Sequence, residues 1–255
     1  MVGTNKALGQ HWLKNRAILD EIADLAADDK ARLCLEIGPG LGFLTSSLLK
    51  RFDKIIAVEF DERLATNLPN SFPGKNLEVV HGDILNYNFD KINESYVVAG
   101  NIPYYITSPI IEKLLTIKHL PTKIVLLVQK EVAERITDEK ETQLSLFVKN
   151  RADVLAGLIV KRDEFTPPPK VDSEVIILNP HSPVVGSEVF ELIKQGFKAP
   201  RKKLSHNLIG KISEKDLNRV FDKLEFDGNI RPGDLCLADW QKMQDEINSL
   251  HRKHM

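Results

Sequence analysis

The hydrophobic residues of the chain follow two patterns, one before and one after about residue 180. In the first region, short runs rich in Val, Ile and Leu alternate with longer segments whose apolar residues recur at helical spacing. This alternation is typical of a mostly parallel sheet with crossover helices, so we predict an α/β fold. The predicted strands are residues 32–37, 54–58, 77–81, 96–100, 123–129, 155–161 and 171–178, with helices at 18–27, 41–51 and 109–117.

The last two predicted strands have no helical segment between them. They are joined by Phe165-Thr166-Pro167-Pro168-Pro169-Lys170, which is too short for a parallel crossover. We therefore expect these two strands to pair antiparallel, as a hairpin at one edge of the sheet.

The second region has helical periodicity and no convincing strand. It follows the structure-breaking segment Asn179-Pro180-His181-Ser182-Pro183. Helices are predicted at residues 187–197, 202–209, 214–224 and 238–251. The sequence thus predicts two domains, a large α/β domain at residues 1–181 and a small all-helical domain at residues 182–255.

The composition excludes several classes of protein. Hydrophobic residues make up 42% of the 255 residues and charged residues 28%, which is ordinary for a globular protein and excludes wholesale disorder. No apolar run approaches the roughly 18–20 residues needed to span a bilayer, and the first residues lack the apolar segment of a secretion signal. We expect a cytoplasmic protein with no membrane partner. Cys34 and Cys236 form no C-x-x-C pair, so neither a disulfide framework nor a metal site is predicted.

A glycine-rich loop follows the first predicted strand. The segment Gly38-Pro39-Gly40-Leu41-Gly42 leads from that strand into a helix, where the backbone of an α/β fold approaches a ligand closely. Glu59 ends the next strand, at roughly the 20-residue spacing at which an acid accepts hydrogen bonds from a ribose. A nucleoside cofactor is therefore predicted. NAD fits poorly, because Phe43 stands where the dinucleotide fingerprint needs a small residue.

Asp83 follows the third predicted strand, directly after Gly82. A carboxylate at this edge of the sheet can accept the amino protons of the cofactor's adenine. Asp after Gly is equally common as a turn or helix-cap residue. The residues alone leave both interpretations open.

The segment Asn101-Ile102-Pro103-Tyr104 stands at the end of the fourth predicted strand, at the edge where open α/β sheets bind ligands. The exocyclic amine of adenine is a poor nucleophile because its lone pair is delocalised into the ring. The Asn101 side-chain oxygen and the Ile102 main-chain oxygen can accept both amine hydrogens, which favours a pyramidal nitrogen with a free lone pair. Tyr104 offers a ring on which an extruded base can stack, worth about 1–3 kcal/mol. In isolation, the tetrapeptide is also typical of a turn with a tyrosine packed in the core.

Five segments occur in an order that resembles one family. The sequence is similar over nearly its whole length to the rRNA adenine N(6),N(6)-dimethyltransferases, which use S-adenosylmethionine (SAM). The main bacterial branch of that family dimethylates two adjacent adenosines near the 3′ end of small-subunit (16S) rRNA. The segments are Leu8-Gly9-Gln10-His11-Trp12-Leu13, Glu36-Ile37-Gly38-Pro39-Gly40-Leu41-Gly42, Asn101-Ile102-Pro103-Tyr104-Tyr105-Ile106, Gln129-Lys130-Glu131-Val132-Ala133-Glu134-Arg135 and Phe165-Thr166-Pro167-Pro168-Pro169-Lys170-Val171-Asp172-Ser173.

The resemblance implies a Rossmann-like SAM-binding sheet in the first domain and RNA contacts in the helical domain. It implies SAM as the cofactor and rRNA, within a small-subunit precursor, as the partner; we expect a monomer, since the fold gives no reason to require a dimer. It adds Phe165 to the catalytic residues Asn101, Ile102 and Tyr104, facing Tyr104 across the target base. The residues that it implies for cofactor binding are His11, Leu13, Gly38, Gly40, Glu59, Asp83 and Asn101.

A basic cluster lies near the start of the predicted helical domain. Lys198, Arg201, Lys202 and Lys203 stand close together with no acidic residue among them. Alone, such a cluster is most often a solvated helix face. With the resemblance, it is predicted to bind the phosphate backbone of RNA, which positions the RNA without reading its sequence. The formal net charge of −1 does not oppose this prediction, because charge can be concentrated locally.

Three other functions stay open beside the 16S rRNA dimethyltransferase. A 23S rRNA adenine N6-methyltransferase of the macrolide-resistance type shares the fold and the tetrapeptide. A ribosome-assembly factor could retain the fold without catalysis, and an NAD oxidoreductase is the third alternative. The triple-proline segment and the form of the C-terminal helices favour the small-subunit branch.

Overall fold

The computed structural model describes residues 10–253, so Leu8 and Gly9 of the first segment above lie outside the described residues. The chain forms two compact units, each with its own hydrophobic core. The first contains the described residues up to 134 together with residues 152–181. The second contains residues 135–151 and the described residues from 182 onward.

The strands of the described chain all belong to the first unit. They are β1 (Trp12–Leu13), β2 (Leu33–Ile37), β3 (Lys54–Glu59), β4 (Leu77–His81), β5 (Tyr96–Asn101), β6 (Lys123–Gln129), β7 (Ala152–Val160), β8 (Phe165–Thr166) and β9 (Ser173–Pro180).

Seven of these strands form one sheet, in the order β4-β3-β2-β5-β6-β9-β7. The strands β4, β3, β2, β5 and β6 are parallel to one another, whereas β9 runs antiparallel to both β6 and β7. The predicted fold class, a mostly parallel sheet with an antiparallel hairpin at one edge, is confirmed. The central strands β2, β3, β5 and β6 are almost entirely buried, which is why their sequences are near-continuous apolar runs.

The strand order reverses at β2. After β2 the chain adds β3 and β4 on one side, then returns to place β5 and β6 on the other. A crevice forms at such a switch point, outside the carboxyl ends of the strands, because the connections leave in opposite directions. The loops after β2, β3, β4 and β5 therefore converge there.

A second, two-stranded sheet was not predicted. In it β1 pairs antiparallel with β8, with Trp12 opposite Thr166 and Leu13 opposite Phe165. Strands of two residues carry too little alternation to be recognised in a sequence. The pairing joins the N-terminal segment to the loop that precedes β9.

Helices cover the main sheet and build the second unit. The chain enters α1 through Asn15, whose side-chain oxygen accepts hydrogen bonds from the backbone N–H groups of Ala17 and Ile18. None of the helices within residues 10–253 combines the length and the apolar composition of a membrane span. The helices are α1 (Arg16–Ala26), α2 (Phe43–Leu48), α3 (Glu62–Asn67), α4 (Thr107–Leu114), α5 (Lys130–Thr137), α6 (Gln143–Lys149), α7 (Ser187–Gly196), α8 (Leu204–Leu208), α9 (Glu214–Leu224) and α10 (Leu237–Lys253).

The division of the chain differs from the predicted one at a single segment. Residues 135–151, assigned from the sequence to the first domain, belong to the second unit. Asn150 gives the reason: its Oδ1 accepts from the Val185 backbone N–H at 2.8 Å and its Nδ2 donates to the Val185 carbonyl at 3.3 Å. Glu141 adds a backbone N–H donated to the Gly233 carbonyl at 2.9 Å. Local sequence patterns carry no information about such long-range bonds.

Candidate active site

A cavity of about 270 Å³ opens in the first unit at the carboxyl edge of the sheet. Its wall is built by the N-terminal segment and by the loops after β2, β3, β4 and β5, as the switch point requires. Of the predicted site residues, those that line it are His11, Leu13, Gly38, Gly40, Glu59, Asp83, Asn101, Ile102 and Tyr104.

The glycine loop approaches the cavity through left-handed backbone. Gly38 and Gly40 have φ angles of +63° and +59°, a conformation that costs residues with a Cβ atom. A Cβ atom on Gly40 would also collide with the indole ring of Trp12. The loop is therefore held tightly between β2 and the N-terminal segment.

Glu59 holds the glycine loop from the neighbouring strand. Its Oε2 accepts the Gly40 backbone N–H at 3.0 Å, and its Oε1 accepts the Asp61 backbone N–H at 2.8 Å. Burial raises the pKa of Glu59, and these two backbone donors oppose that rise. The carboxylate is thereby fixed in orientation at the cavity wall.

Asp83 caps a turn and also lines the cavity. Its Oδ1 accepts the Leu85 backbone N–H at 2.9 Å, which makes Asp83 the cap of the following turn. Its Oδ2 accepts from the Asn86 side chain at 3.1 Å. The residue also lines the cavity, so capping orients a carboxylate that a ligand can reach.

Asn101 is the last residue of β5 and is tethered to the N-terminal segment. Its Nδ2 donates to the His11 carbonyl at 3.2 Å, which leaves Oδ1 as the amide atom for a ligand. Ile102 follows as a buried cavity residue, 2% exposed. The two acceptors expected from the sequence thus stand side by side in the chain at one cavity rim.

Tyr104 is held on two sides. Its ring stacks on the His11 ring, with centroids 6.0 Å apart and planes inclined by 19°. Its hydroxyl is 2.8 Å from the Ser173 hydroxyl on β9. His11 is in turn fixed by a hydrogen bond between its Nδ1 and the Pro167 carbonyl, at 2.7 Å. The tyrosine is therefore a cavity residue, not the core residue of the alternative interpretation.

Phe165 requires a correction. It was expected to face Tyr104 across a bound base, but it is absent from the cavity wall and its side chain is 2% exposed within the hydrophobic core of the first unit. The reason is its pairing in β8 opposite Leu13, which turns both side chains into that core. Leu13 still reaches the cavity from this position.

The predicted RNA-binding residues belong to the second unit. Lys198, Arg201, Lys202 and Lys203 are exposed in the loop between α7 and α8, and no described acidic residue forms an ion pair with them. Asn207 fixes this loop, because its Nδ2 donates to the carbonyls of Gly196 and Ala199, at 2.6 and 3.1 Å.

Several cavity residues were not assigned a role from the sequence. Trp12, Phe60 and Tyr105 line the wall, and Phe60 and Tyr105 are mostly exposed. Glu36 lines it as well, with an Oε2 that has no hydrogen-bond partner among the described residues. The signal for Glu36 was present, since it begins the glycine motif. Trp12 and Tyr105 stand in two of the family segments, whereas Phe60 had no signal in the sequence.

Glu36 makes folding stability depend on pH. Burial raises the pKa of Glu36 from 4.5 to about 8. The unfolded chain releases this proton near pH 4.5, whereas the folded chain holds it until about pH 8. The contribution of Glu36 to the free energy of unfolding is therefore largest below pH 4.5 and decreases as the pH rises to about 8.

We expect Glu36→Gln, which is neutral at every pH, to reduce the change in the free energy of unfolding between pH 4.5 and about 8. Urea unfolding at about pH 5 and about pH 9 measures it, with Glu188→Gln as the exposed control; a pH slope like that of the parent would contradict the prediction.

The comparisons with known proteins agree with this geometry. The profile of the family described as "Ribosomal RNA adenine dimethylase" matches residues 1–248. The "Ribosomal RNA small subunit methyltransferase A" of Rippkaea orientalis is 39% identical over 260 residues, which cover 92% of this chain and 94% of that protein.

Two solved structures are similar over almost their whole length. A dimethyladenosine transferase from Plasmodium falciparum has a TM-score of 0.80 at 31% identity, covering 94% of this chain and 98% of that one. The 23S rRNA methyltransferase ErmE has a TM-score of 0.76 at 25% identity, covering 93% and 99%. Because the family profile and the relatives span nearly the whole sequence, and because the cavity unites residues from three of the five family segments, the chain belongs to the ribosomal RNA adenine dimethylase family.

Proposed function

We propose that the chain transfers methyl groups from SAM to N6 of adenosines in 16S rRNA, dimethylating two adjacent adenosines near its 3′ end. The observation that carries the proposal is that Asn101 and Ile102 stand at the rim of the same cavity as Glu59 and Asp83. Family membership and the name of the Rippkaea orientalis relative favour a small-subunit substrate.

Several features of the cavity fit SAM. The left-handed backbone of Gly38 and Gly40 brings the loop close to the cavity, and buried Glu36 leaves its Oε2 as a polar atom for a ligand. Glu59 and Asp83 present carboxylates for a ribose and an adenine amine. Leu13 and His11 would close the wall from the N-terminal segment. When bound, SAM supplies a methyl carbon activated by an adjacent sulfonium.

The residues of the chain prepare the adenine for a direct displacement. Tyr104 supplies the ring on which the extruded base stacks. Oxygen acceptors at Asn101 and Ile102 hold both amine hydrogens before the first transfer and the remaining one before the second, so the nitrogen lone pair is directed out of the ring and towards the cavity. N6 gives up one hydrogen as a proton to solvent for each methyl group that it gains. The chemistry needs no nucleophilic side chain.

Labelled SAM tests the function directly. Small-subunit particles lacking the modification are incubated with the protein, and their nucleosides are analysed by mass spectrometry. We expect labelled N6,N6-dimethyladenosine from 16S rRNA. Label confined to 23S rRNA would favour the second candidate, which rests on the structural similarity to ErmE. Binding without any label would instead indicate an assembly factor, and either result would overturn the proposal.

We assign cofactor binding to the first unit and RNA contact to the second, with the protein acting as a monomer. The basic loop carries the second part of this assignment, since four exposed cations in a loop anchored by Asn207 suit a phosphate backbone. Light scattering after size-exclusion chromatography measures the mass in solution, which should be that of one chain, 28.8 kDa.

Removing two charges from the basic loop is expected to weaken RNA binding. For Lys202→Gln/Lys203→Gln we expect the plot of log K for RNA binding against log salt concentration to become less steep by about 1–2. Each phosphate contact contributes about 0.7–0.9 to the magnitude of that slope. Affinity for SAM should not change. Filter binding over a salt series measures the slope, and Lys215→Gln/Lys242→Gln on α9 and α10 is the matched control. Equal slopes for the two double variants would contradict the assignment.

A further inference from the structure

Tyr104 lies in a short turn, and the contacts of its ring and hydroxyl come from other segments of the chain. It begins a single 3₁₀ turn, Tyr104–Ile106, between β5 and α4, and no side chain caps that turn. Two backbone hydrogen bonds close the turn: the Ile106 N–H donates to the Pro103 carbonyl at 3.2 Å, and the Thr107 N–H donates to the Tyr104 carbonyl. The backbone alone therefore constrains the plane of the tyrosine ring poorly.

Ser173, in contrast, lies at a rigid position. It is the first residue of β9, completely buried, and it is paired with Gln129 of β6 on one side and Val160 of β7 on the other. The preceding Asp172 is also fixed, since its Oδ1 accepts the Arg162 backbone N–H at 3.0 Å and its carbonyl accepts the Lys130 backbone N–H at 3.1 Å.

The antiparallel direction of β9 explains why this serine reaches the cavity edge. Parallel strands such as β5 and β6 end at the carboxyl edge of the sheet, and an antiparallel neighbour begins there. Ser173 is opposite Gln129, the last residue of β6, so its hydroxyl lies at the same edge as Asn101. The Ser173 and Tyr104 oxygens are 2.8 Å apart.

We propose that Ser173 is a positioning residue, whose hydroxyl holds the Tyr104 ring in the plane on which the target base stacks. The inference rests on the proposed function. Neither hydroxyl is needed for stacking or for accepting the amine hydrogens, so the bond contributes only by limiting the orientations of the ring. A platform ordered before binding loses less side-chain entropy when the base arrives.

Removing either of the two hydroxyl groups, on Tyr104 or on Ser173, should have the same effect. For Tyr104→Phe and for Ser173→Ala we expect kcat/KM for RNA to fall about threefold to tenfold, as for one side chain that must be ordered on binding. The dissociation constant for SAM should stay within about twofold. The double variant should be no worse than either single variant, because all three lack the same bond.

Matched controls separate positioning from general destabilisation. Tyr96→Phe removes another tyrosine hydroxyl bond of 2.8 Å, to the His119 carbonyl, and Ser47→Ala removes a buried serine bond of 2.7 Å, to Asp20. Neither residue lines the cavity. Both controls should keep the parental kcat/KM, even if thermal unfolding shows that they lose as much stability as Tyr104→Phe and Ser173→Ala.

The fluorescence of a base analogue measures directly how well the target base stacks on the Tyr104 ring. With 2-aminopurine at the target position, the parent complex should give one strongly quenched lifetime, and Tyr104→Phe and Ser173→Ala should each add an unquenched population. Parental values of kcat/KM and lifetime in both variants, or losses that add in the double variant, would overturn the inference. Failure of the parent to methylate RNA would instead overturn the proposed function, so the two outcomes are distinguishable.

Discussion

Asn101→Ala is expected to lower kcat for adenosine methylation by about 10²–10³-fold, the usual cost of removing one oriented electrostatic contact from an active site. The Asn101 side-chain oxygen is one of the two acceptors at the cavity rim. Without it, the amine keeps more of its planar, delocalised character and its lone pair is poorly directed. Single-turnover kinetics with labelled SAM measure the chemical step alone.

The variant also loses the bond from Asn101 Nδ2 to the His11 carbonyl, so its stability has to be measured in parallel. We expect a loss of about 0.5–1.5 kcal/mol in the free energy of unfolding, as for one hydrogen bond, and RNA binding close to that of the parent. Asn70→Ala, at an exposed position outside the cavity, is the matched control. If Asn101→Ala turned over at the parental rate, the acceptor mechanism would be wrong.

Gly40→Ala is expected to raise the dissociation constant for SAM at least about tenfold and to destabilise the fold. The left-handed backbone costs a residue with a Cβ atom about 1–2 kcal/mol. The collision with the Trp12 ring adds to this cost, because the added atom can be accommodated only if the ring or the loop moves. Either movement displaces the N–H that Gly40 donates to Glu59. Calorimetric titration with SAM and urea unfolding measure the two effects.

Gly74 allows the two costs to be separated. It has a similar φ of +71°, but a Cβ atom there would meet nothing within 4 Å. Gly74→Ala should therefore show the backbone cost alone, with parental affinity for SAM. Replacing Trp12 by leucine in the Gly40→Ala background should recover part of the lost stability and affinity. An unchanged SAM affinity in Gly40→Ala would show that the loop does not hold the cofactor.

The fold could largely be predicted from the sequence, because its main strands and helices have strong local patterns of apolar residues. Buried parallel strands such as Lys123–Gln129 are apolar along their whole length, and the predicted bounds of this strand and of α9 agree with the structure. Predicted ends were less accurate where a pattern fades, as at α2, which ends at Leu48 and not at residue 51. The short β1 and β8 were missed because two residues cannot display an alternation.

All but one of the predicted catalytic and cofactor-binding residues line the cavity. Glycines before a helix, and acids or amides directly after strands, stand where every parallel strand points to the same edge. Phe165 was misplaced because its position depends on a pairing with Leu13, and the two residues are far apart in the chain. Ser173 ends one of the family segments, but its contact with Tyr104 had no signal in the sequence, because the two residues are far apart in the chain.

The sequence by itself determined the seven strands of the main sheet, most of the helices, the class of fold, the glycine loop and the polar residues at the carboxyl edge, because each depends on residues that are neighbours in the chain. It did not predict β1, β8, α3, α5 or α6. Only the tertiary structure decided that Tyr104 is held by Ser173, that Phe165 lies in the core, and that residues 135–151 join the helical unit. These features depend on contacts between distant segments, whose partners are selected by packing and hydrogen-bond satisfaction in the folded chain.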